Sequence, residues 1–473
     1  MHDCIIIGLG IVGAACAREL ARYDISILAL EAGSDMATGA TRANSGIVHA
    51  GYDAKPGTKK AYYNVKGNAL YDRWAKELDF PFIRNGSLIV AHSDDDLPAL
   101  EELKERGEKN GVEQLRILDY EELHALEPNL SQNCRMALLA GTGGITSPYE
   151  FCFACGENAA KNGVQLRFNS AVTAIRKTPE GFTVTAGGEE FTCRAIVNAA
   201  GLYSDDIHNM LCPGKLTIHP RRGEYRLMDS AAGSYFTRTV FTLPTKMGKG
   251  ILISPTVDGN LYLGPTAVDS DDKTDRSTTA SGMDEILMGA QKSWSELPKN
   301  RFITGFTGLR AHIDSGDVVI GAAEDVPGLF DAAGVESPGL TAAPAIAADM
   351  ALWVADYLKA QKKADFDPIR KAIPCLRTMN DEQKRQAIAA DPRFAHIICR
   401  CEQVSEAEIV MAIERGATTV DGVKRRTRSG MGKCQGGFCG PSVTAILARE
   451  LGIDPTRVEK DQPGSYILSG RIR

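Results

Sequence analysis

Three glycines near the start of the chain, Gly8, Gly10 and Gly13, constrain its fold more than any other feature of the sequence. An apolar run precedes them, an amphipathic stretch follows, and a second apolar run ends at Glu31. This order predicts a βαβ unit. In such a unit the first glycine permits a tight turn, the second lets the backbone approach a pyrophosphate, and the third packs the helix against the strand. Glu31 would bind the ribose hydroxyls, so we expect an α/β protein with a Rossmann-like dinucleotide-binding domain.

The size and charge of the chain narrow the possible classes further. Its 473 residues exceed one average domain several-fold, so two or three domains are expected. Hydrophobic residues make up 43% of the chain, yet no apolar run approaches the roughly 20 residues of a membrane helix. A net charge of -6 argues against nucleic-acid binding, and the first residues leave no room for a signal peptide. We expect a cytoplasmic protein without an integral membrane segment.

Three further segments indicate which dinucleotide is bound, which the glycine motif alone does not. They are residues 38–51, 197–201 and 334–341. All three resemble elements of the D-amino-acid-oxidase-like FAD superfamily: a flavin-contacting loop, a turn beside the adenosine, and a glycine-rich loop against the flavin ring. The resemblance implies FAD as a cofactor. Besides the glycine motif and Glu31, it implies these cofactor-binding residues: Thr41, Asn44, Ser45, Gly46, Val172, Ala200, Gly201, Gly339, Leu340 and Thr341.

The third of these segments also has a physical reason to lie at a flavin. It precedes a long Ala-rich helix that we predict for residues 340–361. A helix N-terminus carries partial positive charge and free N–H donors, which stabilise an anionic reduced flavin. The alternative is an ordinary helix start with Ser337 and Pro338 as cap residues.

Four of the twelve cysteines lie near the end of the chain, as Cys399-x-Cys401 and, after 32 intervening residues, Cys434-x4-Cys439. Four thiolates on two short loops suit a [2Fe-2S] cluster, although zinc also accepts four sulfurs. The residues around both pairs resemble the small bacterioferritin-associated-ferredoxin-like [2Fe-2S] domain. That resemblance implies an iron–sulfur cluster as the metal site.

The surroundings of these cysteines are predicted to be helical. Ser405 and Glu408 form a capping-box pattern, which predicts a helix start just after the first pair. A basic run between the pairs either offsets the thiolate charge or is a solvated surface, and it consists of Lys424, Arg425, Arg426 and Arg428. Cys152 and Cys155 also form a C-x-x-C pair, but their helical setting predicts a packed core face.

These features together predict three kinds of domain: a Rossmann-like FAD-binding domain, an antiparallel-sheet substrate domain and a small helical C-terminal [2Fe-2S] domain. The FAD-binding domain is expected to be discontinuous, with residues 1–78, 145–215 and 305–365. The remaining boundaries are a substrate domain at 79–144 and 216–304, a linker at 366–393, the [2Fe-2S] domain at 394–455 and a tail at 456–473.

The combination of these domains resembles the family of large subunits of anaerobic glycerol-3-phosphate dehydrogenase over most of the chain. The flavin part also resembles the L-2-hydroxyglutarate oxidase family, through residues 44–51 and 222–225. Both resemblances imply hydride transfer from a secondary alcohol carbon to flavin N5, while a base removes the hydroxyl proton. However, residues 338–343 lack the Lys and nearby Arg that glycerol-3-phosphate dehydrogenases typically carry. The small anionic substrate could therefore be glycerol 3-phosphate or a 2-hydroxy acid, with an amine or imino acid as a further candidate.

Arg310 and His49 are the first candidates for the chemistry. Arg310 matches the family position of a substrate-binding arginine, whose guanidinium can hold a carboxylate or phosphate in bidentate fashion. A salt-bridged surface arginine is the alternative. His49 is the preferred base because it lies in the flavin-contacting run and imidazole titrates near neutral pH, although a satisfied buried histidine would fit as well. His219 and His312 are reserves.

Arg222 and Tyr225 are two further candidates, on a strand predicted to cover the substrate. They lie three positions apart, so a regular strand points them to opposite faces. Only one of the two is expected to face the substrate.

Electrons that reach a cluster must leave it, so we expect a redox partner subunit or another electron acceptor protein, through which the chain could also associate with a membrane. A different interpretation is a relay subunit in which the flavin site is vestigial. A third is an oxidase that passes electrons directly to oxygen, although direct oxidation would not need a cluster.

Overall fold

The computed structural model of the chain describes residues 1–243 and 250–470. The expected substrate domain therefore includes a short stretch, 244–249, that lies outside the described residues. The last residues of the expected tail, 471–473, lie outside them as well.

The strands of the described part of the chain follow in chain order. They are β1 His2–Ile7, β2 Ile27–Leu30, β3 Ile47–Val48, β4 Phe82–Ile83, β5 Ser87–Ala91, β6 Leu115–Leu118, β7 Met136–Ala140, β8 Gly144–Thr146, β9 Gln165–Arg167, β10 Val172–Thr178, β11 Gly181–Ala186, β12 Glu189–Asn198, β13 Ile218–Met228, β14 Thr239–Thr242, β15 Leu252–Pro255, β16 Leu261–Gly264, β17 Val268–Asp269, β18 Phe302–Ile313, β19 Val319–Ala322, β20 Leu329–Ala333, β21 Ile397–Cys399 and β22 Val404–Ser405.

The α-helices of the same part of the chain are α1 Ile11–Leu20, α2 Lys59–Asn68, α3 Tyr71–Leu78, α4 Leu97–Lys109, α5 Tyr120–Leu126, α6 Pro148–Lys161, α7 Ser204–Leu211, α8 Ala280–Ser293, α9 Gly339–Leu358, α10 Asp381–Ala390, α11 Glu406–Glu414, α12 Val420–Thr427 and α13 Gly440–Leu451.

The FAD-binding domain is built on a sheet with a parallel centre, in the order β9, β2, β1, β12, β20. The first half of the long strand β12 pairs with β11, and its last residues pair with β20. Helices α1, α6 and α9 pack together against this sheet, where α1 offers Gly13, Ala14 and Ala17 as small contact residues. Small side chains let the helices approach closely, and the expected βαβ unit is therefore confirmed.

The substrate domain is a nine-stranded sheet drawn from two distant parts of the chain, in the order β17, β13, β16, β15, β14, β5, β7, β6, with β18 paired to β13. Most of its pairings are antiparallel, as expected. The exception is the parallel pair of β14 with β5, where the two chain segments meet. A parallel pair needs a long connection, and the whole of residues 92–238 provides it.

Two expected domain boundaries need correction. Residues 305–313 were expected in the FAD-binding domain, but they belong to β18, which pairs with β13 along almost its full length. Residues 366–393 were expected as a linker, yet they contain α10 and pack against the C-terminal domain through Leu376 and Ala387. The apolar side chains of this polar stretch pack on α11, so the segment is fixed on the C-terminal domain.

The C-terminal domain consists of α11, α12 and α13 around its own apolar core, which includes Cys399 and Cys439. Its first helix begins with the expected capping box, in which Ser405 Oγ accepts from the Glu408 amide and the Glu408 carboxylate accepts from the Ser405 amide. That prediction is confirmed. Within the described residues, no helix has the length and apolar character needed to cross a membrane.

Candidate functional site

A large cavity lies between the carboxyl ends of the parallel strands and the sheet of the substrate domain. Its volume is about 1550 Å³. Sites for one small molecule usually measure roughly 300–1,000 Å³, so this cavity can hold a dinucleotide and a small substrate together. Open α/β sheets bind ligands at this edge of the sheet.

The main chain of a glycine turn lines the nucleotide end of the cavity. Gly8 has φ +96°, and a Cβ on it would stand 2.5 Å from the carbonyl oxygen of Ala199. A Cβ on Gly13 would stand 1.9 Å from the carbonyl oxygen of Gly8, so any side chain there would push α1 off the turn. Gly13 itself lies behind the cavity lining, whereas Gly8 and Gly10 line it. These contacts match the roles predicted for a pyrophosphate turn.

Glu31 also lines this end of the cavity. Its carboxylate accepts hydrogen bonds from the amides of Leu9 (2.7 Å) and Gly33 (2.8 Å), so it holds the glycine turn in place. Burial raises the pKa of Glu31 despite these bonds. Three other predicted residues, Val172, Ala200 and Gly201, line the same end.

The loop that contains Thr41, Asn44 and Ser45 runs along the cavity beside this turn. Thr41 Oγ1 accepts from the amide of Ile11 at the start of α1 (3.0 Å), and Asn44 Nδ2 donates to the carbonyl of Thr41 (2.9 Å). Gly46 lies behind the lining, with φ +60°, where a Cβ would stand 2.6 Å from the carbonyl oxygen of Thr146. These contacts fix the loop between the two sheets.

The start of α9 faces the cavity through Gly339 and Leu340. No side chain caps this helix within the described structure, so Ser337 and Pro338 do not act as a conventional cap. Thr341 is fully buried behind the lining, and its hydroxyl accepts from the amide of His49 (2.9 Å). An uncapped helix start at a dinucleotide cavity fits an anionic ring system such as a reduced flavin.

The substrate end of the cavity is formed by one face of β13 and β18. Tyr225, Arg310 and Arg221 line it, and Arg221 lies directly opposite Arg310 in the strand pairing. The hydroxyl of Tyr225 lies 3.1 Å from Ser45 Oγ, and its ring stacks on Phe306 with 4.7 Å between ring centroids. The tyrosine is therefore held rigidly between the flavin-side loop and the sheet.

Arg222 is a correction to the expected site. It lies on the opposite face of β13, outside the cavity lining, where Nη1 donates to Asp275 (2.8 Å). Strand alternation is the reason, since Tyr225 takes the cavity face three positions later. The same alternation places Arg221 on the cavity face. Arg221 was not among the predicted site residues, although the two-residue period of side chains along a strand could have identified it.

Arg310 is the cation that points into this end of the cavity. Its Nη2 donates to the carbonyl of Thr266 (2.7 Å), while its buried Nε has no hydrogen-bond partner among the described residues. Gly223, on the neighbouring strand β13, leaves room for the guanidinium, because a Cβ there would stand 3.1 Å from Nη2. A half-buried guanidinium with an unused donor is ready to bind an anion.

His49 lines the cavity beside the start of α9. The side chains of Asn64 and Asn68 each donate to its carbonyl at 3.0 Å, and its ring Nε2 lies 3.3 Å from Ser337 Oγ. Its ring centroid lies 6.0 Å from that of Phe241. The backbone is thus fixed on both sides while the imidazole faces the cavity.

The reserve histidines lie outside the cavity lining. His312 Nδ1 contacts Glu336 (3.1 Å), and His219 contacts Asp314 (3.4 Å). Glu336 and Lys60 do line the cavity, joined by an ion pair of 2.9 Å. Burial opposes ionisation of Glu336, but the charge of Lys60 outweighs it and lowers the pKa of the carboxyl. No sequence motif marked this pair as part of the cavity.

The four C-terminal cysteines come together as two pairs. Cys401 Sγ lies 3.7 Å from Cys434 Sγ, and a hydrogen bond from Cys439 lowers the pKa of Cys399 to about 6. Within residues 1–243 and 250–470, no group of three or more potential ligands is gathered around one point. Two separate sulfur pairs suit a cluster of two metal ions better than a single zinc ion.

The loops around the sulfurs fit such a cluster in two further ways. The amides of Phe438 and Gly436 donate to the Cys434 thiolate and lower its pKa. Gly432 lets the two cysteine loops meet, because a Cβ there would stand 2.3 Å from the Cβ of Cys401. Amide donors to thiolate sulfurs stabilise cluster ligands and set their potential.

The basic run between the cysteine pairs serves neither of the expected purposes. Arg425 and Arg426 are buried and bind acidic residues outside α12: Arg426 holds Asp35 with bonds of 2.5 and 2.8 Å, and Arg425 holds Asp461 at 2.9 Å. Arg428 binds Asp258 at 2.5 Å. The run therefore docks the C-terminal domain onto the rest of the chain.

Cys152 and Cys155 lie fully buried in α6, as expected.

Comparison with known proteins agrees with this architecture. Residues 3–353 match the family model of the DAO FAD dependent oxidoreductases, and residues 397–449 match that of the BFD-like [2Fe-2S] binding domain. The chain therefore belongs to the DAO family of FAD dependent oxidoreductases. It is an enzyme of that class with FAD as its cofactor and a [2Fe-2S]-binding domain at its C-terminal end.

Three relatives illustrate where the chain stands in this family. It is 46% identical to a glycerol 3-phosphate dehydrogenase from Caloramator mitchellensis, over 99% of this chain and 98% of the relative. It is 27% identical to a mitochondrial L-2-hydroxyglutarate dehydrogenase from Arabidopsis thaliana, over 74% and 82% of the two chains. Among solved structures, the FAD-bound, dithionite-reduced L-alpha-glycerophosphate oxidase from Mycoplasma pneumoniae superposes with a TM-score of 0.75 at 31% identity, over 78% of this chain and 98% of the other.

Proposed function

We propose that this enzyme is a dehydrogenase that oxidises sn-glycerol 3-phosphate to dihydroxyacetone phosphate. The observation that carries the proposal is the half-buried guanidinium of Arg310, whose buried Nε donor has no partner among the described residues, at the substrate end of a cavity large enough for a dinucleotide. The near full-length likeness to a glycerol 3-phosphate dehydrogenase, which includes the C-terminal domain, supports the choice of substrate.

Several residues support phosphate as the anionic group. Arg221 and Lys60 line the same cavity as Arg310, so the substrate end holds more than one cation. Both have carboxylate partners, with Arg221 Nε donating to Asp269 at 2.6 Å and Lys60 Nζ to Glu336 at 2.9 Å. A phosphate dianion gains more from several cations than a single carboxylate does. These two side chains would stand in for the cations that residues 338–343 lack.

The chain's own residues have distinct tasks in this proposal. FAD, when bound, supplies the acceptor for the hydride, and the [2Fe-2S] cluster supplies a route for single electrons. Arg310 holds the substrate anion, and His49 takes the hydroxyl proton at a ring nitrogen. Tyr225 and Phe241 wall the cavity and exclude water. The start of α9, at Gly339 and Leu340, and the glycine turn would hold the cofactor.

The compartment and the acceptor belong to the same proposal. All twelve cysteines are free in the structure, which fits the reducing conditions of the cytoplasm. A protein that accepts single electrons would receive them from the C-terminal domain, and it could bring the enzyme to a membrane. Peroxide production measured with and without an artificial dye separates this dehydrogenase from an oxidase, which would form peroxide at a rate close to the dye-linked rate.

Turnover measurements with a dye acceptor test the role of Arg310. The Arg310→Lys variant should lose about 100-fold in kcat/KM for glycerol 3-phosphate, mostly through KM, because a bidentate charged contact becomes a point charge. Arg222→Lys is the matched control, since Arg222 lies on the paired strand β13 with its side chain on the face away from the cavity. It should stay within about threefold of the parent. Equal losses in both variants would contradict the assignment.

A 2-hydroxy acid is the second candidate, because a guanidinium holds a carboxylate as readily as a phosphate. L-2-hydroxyglutarate in the same dye assay distinguishes the two. A kcat/KM for L-2-hydroxyglutarate above that for glycerol 3-phosphate would replace the proposed substrate and leave the reaction class unchanged.

A further inference from the structure

The sulfur pairs of the C-terminal domain differ sharply in their exposure. Cys399 and Cys439 are 1% and 2% exposed and belong to the apolar core of the domain. Cys401 is exposed, and Cys434 is half-buried. A cluster held by these sulfurs is therefore reachable from outside only on the side of Cys401 and Cys434, as far as the described residues go.

An unusual apolar side chain marks that same side. Phe438 is 86% exposed, more than any other large hydrophobic side chain in the described part of the chain. Its amide donates to the Cys434 thiolate, so the ring stands immediately beside the accessible sulfur pair. An aromatic ring with this exposure contributes little to folding, and aromatic residues are enriched at the centres of protein interfaces.

The charge around Phe438 is positive. Arg400 and Lys433 are exposed neighbours of Cys401 and Cys434 in the sequence, and neither forms an ion pair with a described residue. The nearby carboxylate, Glu402, is already engaged by Arg428 at 2.9 Å. This patch, which we define as Arg400, Lys433 and Phe438, is thus cationic on a chain whose net charge is -6.

We propose that the patch of Arg400, Lys433 and Phe438 is the docking surface for a small acidic one-electron carrier protein. The proposal rests on the proposed function, which makes the cluster the exit for electrons. Complementary charge steers the carrier to the accessible edge, and the phenyl ring gives a short-lived apolar contact. Such encounters bury little area, which matches a patch of this size.

The redox balance of the step is simple. Oxidation of one secondary alcohol to a ketone releases two electrons and two protons. Each carrier molecule gains one electron as the reduced cluster loses one, so two carriers are reduced for each substrate oxidised. The hydroxyl proton passes to the base and then to solvent, and the hydrogen that leaves the carbon as hydride would be released as the second proton when the flavin is reoxidised.

The test uses the full-length holoprotein, reduced with stoichiometric dithionite and mixed in a stopped-flow instrument with a plant-type [2Fe-2S] ferredoxin as the acidic probe. The second-order rate should fall steeply as salt is raised. Arg400→Glu/Lys433→Glu should lower the rate at low salt at least tenfold, and Phe438→Ala about fivefold. Cationic cytochrome c is the probe of opposite charge. The charge-reversed variant should reduce it at least as fast as the parent does.

Direct binding gives a second readout that needs no electron transfer. Calorimetry with the oxidised enzyme and the oxidised ferredoxin should show binding at low salt that charge reversal abolishes. Lys109→Glu/Lys299→Glu, on exposed positions of the substrate domain, is the matched charge control, and Leu352→Ala is the control for an exposed apolar residue. Both controls should bind and transfer electrons as the parent does. Absorption of the cluster verifies that each variant is loaded.

Several outcomes would overturn the proposal. Unchanged ferredoxin rates and binding in the patch variants would do so. Binding of the parent to anionic phosphatidylglycerol vesicles, lost in the patch variants while ferredoxin reduction persists, would assign the patch to a membrane. Patch-dependent self-association in sedimentation would assign it to a second copy of the chain. Because dithionite replaces the substrate, failure of glycerol 3-phosphate to reduce the enzyme would leave this test unaffected.

Discussion

At the scale of single residues, the substrate end of the cavity is a set of side chains fixed from behind. Thr341, Asn64 and Asn68 hold the backbone of His49, and the cavity face of the strand pair presents Tyr225 and Arg310. The proposed base and the proposed anion-binding cation thus stand on separate elements on the lining of one cavity. General-base catalysis needs this kind of fixed placement.

His49→Gln tests the base. Glutamine keeps the size and polarity of the side chain but cannot take a proton, so kcat in the dye assay should fall about 100- to 1,000-fold. The loss of rate on the acidic side of the pH profile, which an imidazole produces near neutral pH, should disappear with it. His219→Gln is the control, because His219 lies outside the cavity lining and contacts Asp314, which lies outside it as well. A parent-like pH profile in His49→Gln would assign the base to another group.

Residue types and motifs predicted the site only in part. The glycine motif and Glu31, which spacing indicated, and the Asn44–Ser45 loop, which the family resemblance implied, lie at one cavity. Arg222 was expected as a candidate and lies on the wrong face, while Arg221 was missed. The partnership of Lys60 with Glu336 joins residues far apart in the sequence, and no local pattern records such a contact.

At the scale of elements, the junction between the C-terminal domain and the FAD-binding domain depends on buried ion pairs. Asp35 receives two bonds from Arg426 and is 3% exposed at its side chain. Asp461, in the tail, binds both Arg425 and Arg42. Ser34 Oγ also donates to the carbonyl of Asp461 at 2.6 Å. The tail therefore joins α12 to the loop after β2.

Asp35→Asn should break this junction. Removal of the charge leaves Arg426 buried without a counterion, which costs about 3–5 kcal/mol of unfolding free energy. We expect the C-terminal domain to unfold or to be released at a lower urea concentration than in the parent. Limited proteolysis at increasing urea concentrations measures this. Asp95→Asn, at an exposed position of the substrate domain, should change the midpoint little. A parent-like urea midpoint in Asp35→Asn would mean that the ion pair does not hold the junction.

Asp461 gives the junction a defined dependence on pH. Burial opposes its ionisation, but the charges of Arg425 and Arg42 outweigh it and lower the pKa of Asp461 to about 2. A lowered folded-state pKa gives stability that is fully present above the unfolded value of about 3.9 and is lost as pH falls towards the folded value. The contribution is about 2 kcal/mol.

Comparison of the parent with Asp461→Asn measures this contribution. The difference in urea midpoint should be constant from pH 8 to pH 5 and should shrink only below about pH 4. A difference that shrinks between pH 7 and pH 5 would show that another group carries the effect.

The elements themselves were predictable, but their contacts were not. Hydrophobic periodicity located β1, α1 and α9, and the pattern of Ser405 and Glu408 located the start of α11, because these features depend on neighbours in the sequence. The parallel pairing of β5 with β14 depends on two distant segments. Arg425 and Arg426 are buried because they pair with carboxylates from outside their own domain. The basic run, for which a solvated surface was one of two expectations, therefore forms an interface.

At the scale of the whole molecule, the proposed function assigns substrate oxidation to the cavity and electron exit to the sulfur site. The cavity lies between the two sheets, and the accessible sulfur pair faces outward on a domain that ion pairs hold in place. Substrate chemistry is thereby separated from electron exit. The family assignment covers both parts, since separate family models match residues 3–353 and 397–449.

The absorption spectrum of the anaerobically purified enzyme during addition of glycerol 3-phosphate tests the central claim most directly. The account predicts that the substrate bleaches the flavin band, and that electron paramagnetic resonance of the same sample shows a reduced [2Fe-2S] cluster. L-2-hydroxyglutarate, added to a separate sample, should leave the flavin oxidised. A flavin that dithionite reduces but glycerol 3-phosphate does not would contradict the account.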